Sequence, residues 1–238
     1  MFVKQKCCKK IKIGRDFAPK RKYLQKSLAK SGKEVYNEND KDGERGKCMK
    51  RETIYQIFSH MPQLETERLI LRPMCVSDAE DMYAYACRED VTAYLLWSPH
   101  PSPGYTRDYL SYIEDRYATG GFFDWAVVEK KSGRMIGTCG FTSIDAPNDV
   151  GEIGYVLNPD YSGRGYATEA AACVLRFGFG TVGLHRIEAK FMKGNDASLR
   201  VMEKLGMHFE GYREGAMRVK GQYRTIGVCA LLEHEYRR

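Results

Sequence analysis

Apolar residues follow no sustained period over the first 62 positions, then settle into short, regular patterns. Arg68-Leu69-Ile70-Leu71-Arg72 alternates and is stopped by Pro73, which predicts a first strand. Ser77-Asp78-Ala79-Glu80 has the composition of a helix start, and Ala79, Met82, Tyr83 and Ala86 continue it at helical spacing. Tyr105, Tyr109, Tyr112, Ile113 and Arg116 mark a second helical face, closed by Gly120-Gly121. Between these helices an irregular link over 91–97 leads into Ser98-Pro99-His100-Pro101. Strand patterns over 122–129 and 135–144 are joined by Lys131-Ser132-Gly133, a hairpin signal. A fourth strand over 151–157 runs into a glycine-bearing turn, and Ala167, Ala170, Ala171, Val174 and Leu175 then keep one helical face. A strand over 186–192, a helix marked by Ser198, Val201, Met202 and Leu205, and strands over 209–213 and 225–232 complete the pattern.

The predicted order is β-α-α-β-β-β-α-β-α-β-β. An antiparallel meander feeds one β-α-β crossover and ends antiparallel. This is a mixed α/β fold around a single mostly antiparallel sheet with flanking helices. No internal repeat and no second core are visible. Regular structure is expected from about Leu64, so residues 63–238 read as one domain and 1–62 as a basic, disordered extension.

Charge supports that division. Residues 1–60 carry 17 Lys/Arg against 7 Asp/Glu, while the other 178 carry 21 against 24. The net charge of +7 therefore belongs to the first quarter of the chain. A basic arm suits a weak contact with nucleic acid or the ribosome; a solvated tail is the plainer reading. No run of eighteen apolar residues is present, and no membrane partner is expected. The eight cysteines form no C-x-x-C pair and have no histidine at zinc spacing, which points to reduced thiols in a cytoplasmic protein and to no metal.

The most informative segment is the turn from residue 158 to 170. Gly163 and Gly165 let the backbone approach a ligand with no Cβ in the way. The helix that follows begins with N–H groups that have no internal acceptor, and its dipole adds positive charge at the same place. Such a corner is a cradle for a pyrophosphate. The spacing is neither G-x-G-x-x-G, since Thr168 stands where the third glycine would fall, nor G-x-x-x-x-G-K-[ST].

The turn resembles the acyl-CoA signature of the GNAT acetyltransferases, [RQ]-x-x-G-x-[GA], with Gly165 and Ala167 in the last two places and Ser162 where that signature has Arg or Gln. Residues 64–72, Ile153-Gly154-Tyr155, His185-Arg186-Ile187-Glu188-Ala189 and the stretch from Asn195 to Met207 resemble the branch that includes the ribosomal-protein alanine N-acetyltransferases. The likeness extends from about Leu64 to Tyr236 and matches the element order. It implies a GNAT fold and an acetyl-CoA-dependent transfer to a primary amine, either a protein N-terminal α-amine or a small molecule. A domain that senses acyl-CoA without turnover is the alternative.

The resemblance also implies site residues. Ser162, Gly163, Arg164, Gly165, Tyr166, Ala167 and Thr168 would hold the diphosphate through their backbone. Tyr155, Val156 and Leu157 would pair with pantetheine at a splayed strand end, with the Leu157 N–H as oxyanion donor. The amine must lose a proton, from a pKa of about 7.7–8.0 for an α-amine or near 10.4 for lysine. Glu152 and Glu188 are acids in otherwise apolar strands, where a charge is costly without a partner or a task. The resemblance makes Glu152 the first candidate base and Glu188 the second, with ion pairs to Arg186, Lys190 or Arg164 as the structural alternative. The tyrosine that protonates the thiolate in relatives falls here at Met202, so Ser198 is the candidate donor. Asn195 would bond the pantetheine arm, cap its helix, or both. Tyr94, Trp97 and His100, in the link between the first two helices, would line the acceptor groove.

Overall fold

The computed structural model describes residues 51–236. They run through helix α1 (Arg51–Ser59), strands β1 (Leu64–Glu65) and β2 (Leu69–Arg72), and helices α2 (Ala79–Ala86), α3 (Glu89–Thr92) and α4 (Pro103–Ala118). Strands β3 (Phe123–Glu129), β4 (Met135–Asp145) and β5 (Val150–Leu157) follow, then helix α5 (Tyr166–Phe177) and strand β6 (Arg186–Met192). Helix α6 (Asp196–Lys204), strands β7 (His208–Val219) and β8 (Gln222–Leu232) and a short α7 (Glu233–Tyr236) close the chain. The strands form one sheet in the order β1-β2-β3-β4-β5-β6-β8-β7. Every pair is antiparallel except β5–β6, which α5 connects. The mixed α/β class read from the pattern is therefore the observed one.

The sheet is covered on both faces at its centre, which is why β3 buries a continuous run from Trp125 to Glu129 rather than alternate residues. Small residues bring α5 close to the sheet: Ala170, Ala171, Val174 and Leu175 are all buried. Trp125 is fully buried, and its indole N–H donates to the Pro62 carbonyl at 2.8 Å.

Two expectations need correction. Regular structure does not begin near Leu64. Helix α1 precedes it, with Ile54 and Phe58 in the core. The Phe58 ring meets the edges or faces of Phe123, Trp125, Phe141 and Phe177 at centroid distances of 4.7, 5.8, 6.5 and 6.1 Å. The signal was a single i, i+4 apolar pair in a basic context, too short to show a period. Residues 1–50, including the rest of the basic extension, lie outside the described residues. The final strands are also longer than 209–213 and 225–232. They meet at Lys220-Gly221, whose φ angles of 48° and 85° make a tight hairpin turn without the usual Asn-Gly.

Replacing Phe58 with Ala is expected to destabilise the fold by about 3–5 kcal/mol, the usual cost of removing a buried aromatic ring. Urea denaturation of the full chain measures this. A loss under about 1 kcal/mol would show that α1 contributes little to the core.

Candidate active site

Strand β5 ends at Leu157, and Asn158 then caps a single turn by accepting the Asp160 N–H at 3.0 Å. Gly163 and Gly165 follow with φ angles of 74° and 79°, a left-handed backbone that other residues adopt only with strain. The first bond of α5 runs from the Glu169 N–H to the Gly165 carbonyl at 3.0 Å. The N–H groups of Tyr166, Ala167 and Thr168 precede it and have no intrahelical acceptor. No atom comes within 4 Å of where a Gly163 Cβ would stand, and only Arg68 Nη2, at 3.5 Å, approaches that of Gly165. Side chains thus leave the corner open. Ser162 is extended there, and the exposed Arg164 guanidinium stacks over Tyr161 at 5.4 Å.

The corner is held from the segment just before β2 and from β3 by residues that the sequence left unmarked. Arg68 donates from its Nε to Glu169 Oε2 at 2.6 Å and from Nη1 to the Arg164 carbonyl at 2.9 Å, while its guanidinium lies 4.5 Å from the Tyr166 ring centre. The Thr66 hydroxyl and the Arg68 N–H both donate to Glu169 Oε1. Burial pushes the Glu169 carboxyl up, but these donors and the Arg68 charge together hold it below the usual range. The Tyr166 hydroxyl reaches Glu129 at 2.5 Å, and Ser132 donates to the other Glu129 oxygen at 2.6 Å. Only fold-level pairing brings β2 to α5, so local sequence carried no sign of this latch.

Beside the corner the sheet divides. β5 and β6 pair from Val150–Arg186 to Ile153–Ala189 and no further, although β5 continues to Leu157 and β6 to Met192. The edge of β5 from Gly154 to Leu157 therefore faces the opening with its main-chain groups. Across it, the Tyr155 hydroxyl stands 3.0 Å from Ser198 Oγ and donates to the Ser198 carbonyl at 2.9 Å. Asn195 caps α6 by accepting the Ser198 N–H at 3.2 Å. The Ser198 hydroxyl thus meets a tyrosine from β5.

A groove of about 1250 Å³ opens on the sheet face beside this division. Tyr94, Trp97 and His100 all line it, together with Glu152. His100 is buried, shares a hydrogen bond with the Thr106 hydroxyl at 2.9 Å, and is held neutral by burial. The two candidate bases fare differently. Glu152 is paired with Lys190 at 2.5 Å on the groove wall. Glu188 is paired with Arg186 at 2.9 Å, and Arg186 also holds Glu210 at 2.5 Å. Glu188 is outside the residues that line the groove. A third acid, Asp124 at the start of β3, lies in the groove and escaped the sequence reading because no motif surrounds it.

Comparison with known proteins agrees with this geometry. The acetyltransferase (GNAT) domain family matches residues 68–208, more than half of the chain. An uncharacterized N-acetyltransferase, p20 of Bacillus licheniformis, is 34% identical over 176 residues, covering 74% of this chain and 99% of that protein. Two Escherichia coli K12 relatives are more distant: spermidine N(1)-acetyltransferase, 25% identical with 70% of this chain and 87% of that protein covered, and [ribosomal protein uS5]-alanine N-acetyltransferase, 26% identical with 73% and 93% covered. Among solved structures, a GNAT-family acetyltransferase from Bacillus anthracis superposes with a TM-score of 0.66 at 30% identity, covering 73% of this chain and all of that one. The open strand-to-helix corner, the divided sheet and these likenesses lead to one conclusion: the chain belongs to the GNAT N-acetyltransferase family.

Proposed function

We propose that this chain transfers the acetyl group of acetyl-CoA directly to a primary amine held in the groove. The observation that carries the reading is the bare corner directly following a strand whose last residues are unpaired on one side. GNAT acetyltransferases use acetyl-CoA, and this corner has the backbone donors its diphosphate requires. The residues from Ser162 to Thr168 would hold the diphosphate, with Arg164 adding charge. The free edge from Tyr155 to Leu157 would pair with the pantetheine amides, and Asn195 would bond the same arm. A backbone N–H at Leu157 would then face the carbonyl oxygen as it becomes an oxyanion, a contact worth about 2.7–4 kcal/mol.

The leaving thiolate has a pKa near 8.5 and needs only a modest proton donor. Ser198, backed by the Tyr155 hydroxyl, fits that task. Burial pushes the Tyr155 phenol above its ordinary value while Ser198 pulls it down, so the pair stays protonated at neutral pH. Tyr94, Trp97 and His100 would form the aromatic side of the acceptor site. One E. coli relative acts on spermidine and another on a ribosomal protein. We place the acceptor here among primary amines of either kind, in a cytoplasmic setting. Among the described residues no helix is long and apolar enough to cross a membrane.

Thiol release from acetyl-CoA in the presence of an amine panel tests the reading. Turnover with at least one primary amine is expected; tight CoA binding without turnover on any amine would leave only a binding module. Gly165→Val forces a branched side chain into a left-handed backbone and should abolish CoA binding in calorimetry with the fold retained. Arg68→Ala should weaken CoA about 10-fold, or 1.4 kcal/mol, by loosening the latch. Ser198→Ala combined with Tyr155→Phe should lower kcat up to about 100-fold with CoA affinity nearly unchanged.

A further inference from the structure

Among the described residues, two buried side-chain polar atoms make no hydrogen bond: Tyr85 Oη and Asp124 Oδ1. Both residues line the groove. A buried acceptor without a donor is costly, so such an atom asks for a ligand. Across the sheet Asp124 pairs with Gly140, and Gly140 with Gly154. A Cβ on Gly140 would stand 2.8 Å from Asp124 Oδ1 and 2.4 Å from its Cα. The two glycines carry no side chain of their own between Asp124 and the point where β5 and β6 part, about 10 Å away at two strand spacings, and the Thr142 methyl stands 2.7 Å from where a Gly154 Cβ would be.

We propose that Asp124 is the base that draws the proton from the acceptor's ammonium group, through water along the groove. This rests on the acetyl-transfer reading above. Asp124 accepts one proton from R–NH3+ by way of that water, leaving R–NH2 with a free electron pair beside the thioester. That pair forms the C–N bond to the thioester carbonyl carbon, and the carbonyl electrons move to oxygen. As the C–S bond breaks, the second proton leaves nitrogen and reaches sulfur by way of Ser198. The products are the N-acetyl amine and CoA thiol, and the first proton passes from Asp124 to water.

The surroundings fit a base. Burial pushes the Asp124 carboxyl up to about 7, against the Thr138 hydroxyl and the Trp125 N–H, which pull it down. No cation pairs with it among the described residues. From α2 it is faced by Tyr85, and from α4 by Tyr109 and Tyr117, phenols that burial and this carboxylate keep protonated. Cys139 lies behind it on β4 as a buried thiol. His100 is neutral, and Glu152 and Lys190 satisfy each other. Glu152 must break an ion pair to accept a proton; Asp124 does not.

The test uses the full chain with acetyl-CoA and the best amine of the panel. The wild-type protein should show an acidic limb near pH 7 in kcat/KM. Asp124→Asn should lower kcat/KM about 100-fold or more at pH 8 and remove that limb, with CoA affinity unchanged. Glu152→Gln should retain the limb. Because the folded carboxyl titrates above its unfolded value, its contribution to stability is present below about pH 4 and lost as pH rises through 7. Asp124→Asn should therefore raise Tm at pH 8 relative to wild type. If that variant fails to bind CoA, Thr138→Val decides: loss of its hydroxyl should move the limb to higher pH. A limb that persists in Asp124→Asn, or stays fixed in Thr138→Val, overturns the assignment while leaving acetyl transfer intact. A wild-type chain that neither binds CoA nor transfers acetyl overturns the underlying reading instead.

Discussion

The parting of β5 and β6 after Ile153 and Ala189 is the constraint on which the site depends. A sheet gains from pairing every inner strand edge, and an unpaired interior edge carries a desolvation cost. Here the pairing stops while both strands continue, because β5 remains bonded to β4 as far as Leu157 and β6 to β8 as far as Met192. Each strand is thus held straight by its outer neighbour as the inner edges diverge. The gap is a property of the sheet and needs no loop to open it. The candidate site lies around it: the corner at its mouth, the Tyr155–Ser198 pair across it, and the groove on one face.

The corner itself is local in sequence but not in support. Its glycines set the backbone, yet its position is fixed by Arg68 and Glu169, about a hundred residues apart. Arg68 is well exposed, so the value of its ion pair lies in geometry more than in Coulomb energy. One guanidinium bonds a carboxylate and a loop carbonyl and stacks on Tyr166. That planar fork cannot be copied by lysine.

Much of this was legible in the chain. The strand alternation, the helix faces and the glycine turn carried the element order, and the turn together with four further segments carried the family. What escaped followed from physics that local sequence does not record. Helix α1 owes its stability to four aromatic partners spread over β3, β4 and α5, so its own nine residues show almost nothing. Glu152 and Glu188 are equivalent in sequence, acids in apolar strands at matching register, but only Glu152 faces the groove. Asp124 differs from any surface acid only through the burial imposed by α2 and α4. The absence of a tyrosine from α6 was visible; the meeting of Tyr155 with Ser198 required the strands to be placed.

The fold also shows that likeness and foldability have different limits. The family match begins at Arg68 and stops at His208. β8 lies beyond that span, yet it inserts between β6 and β7 and buries Cys229, Ala230 and Leu231. Phe58 lies before it and completes the aromatic centre. A fragment excised at the bounds of the family match would have a raw edge along β6 and a hole beneath Trp125, so recombinant work and domain transplantation should take their cut points from the packing.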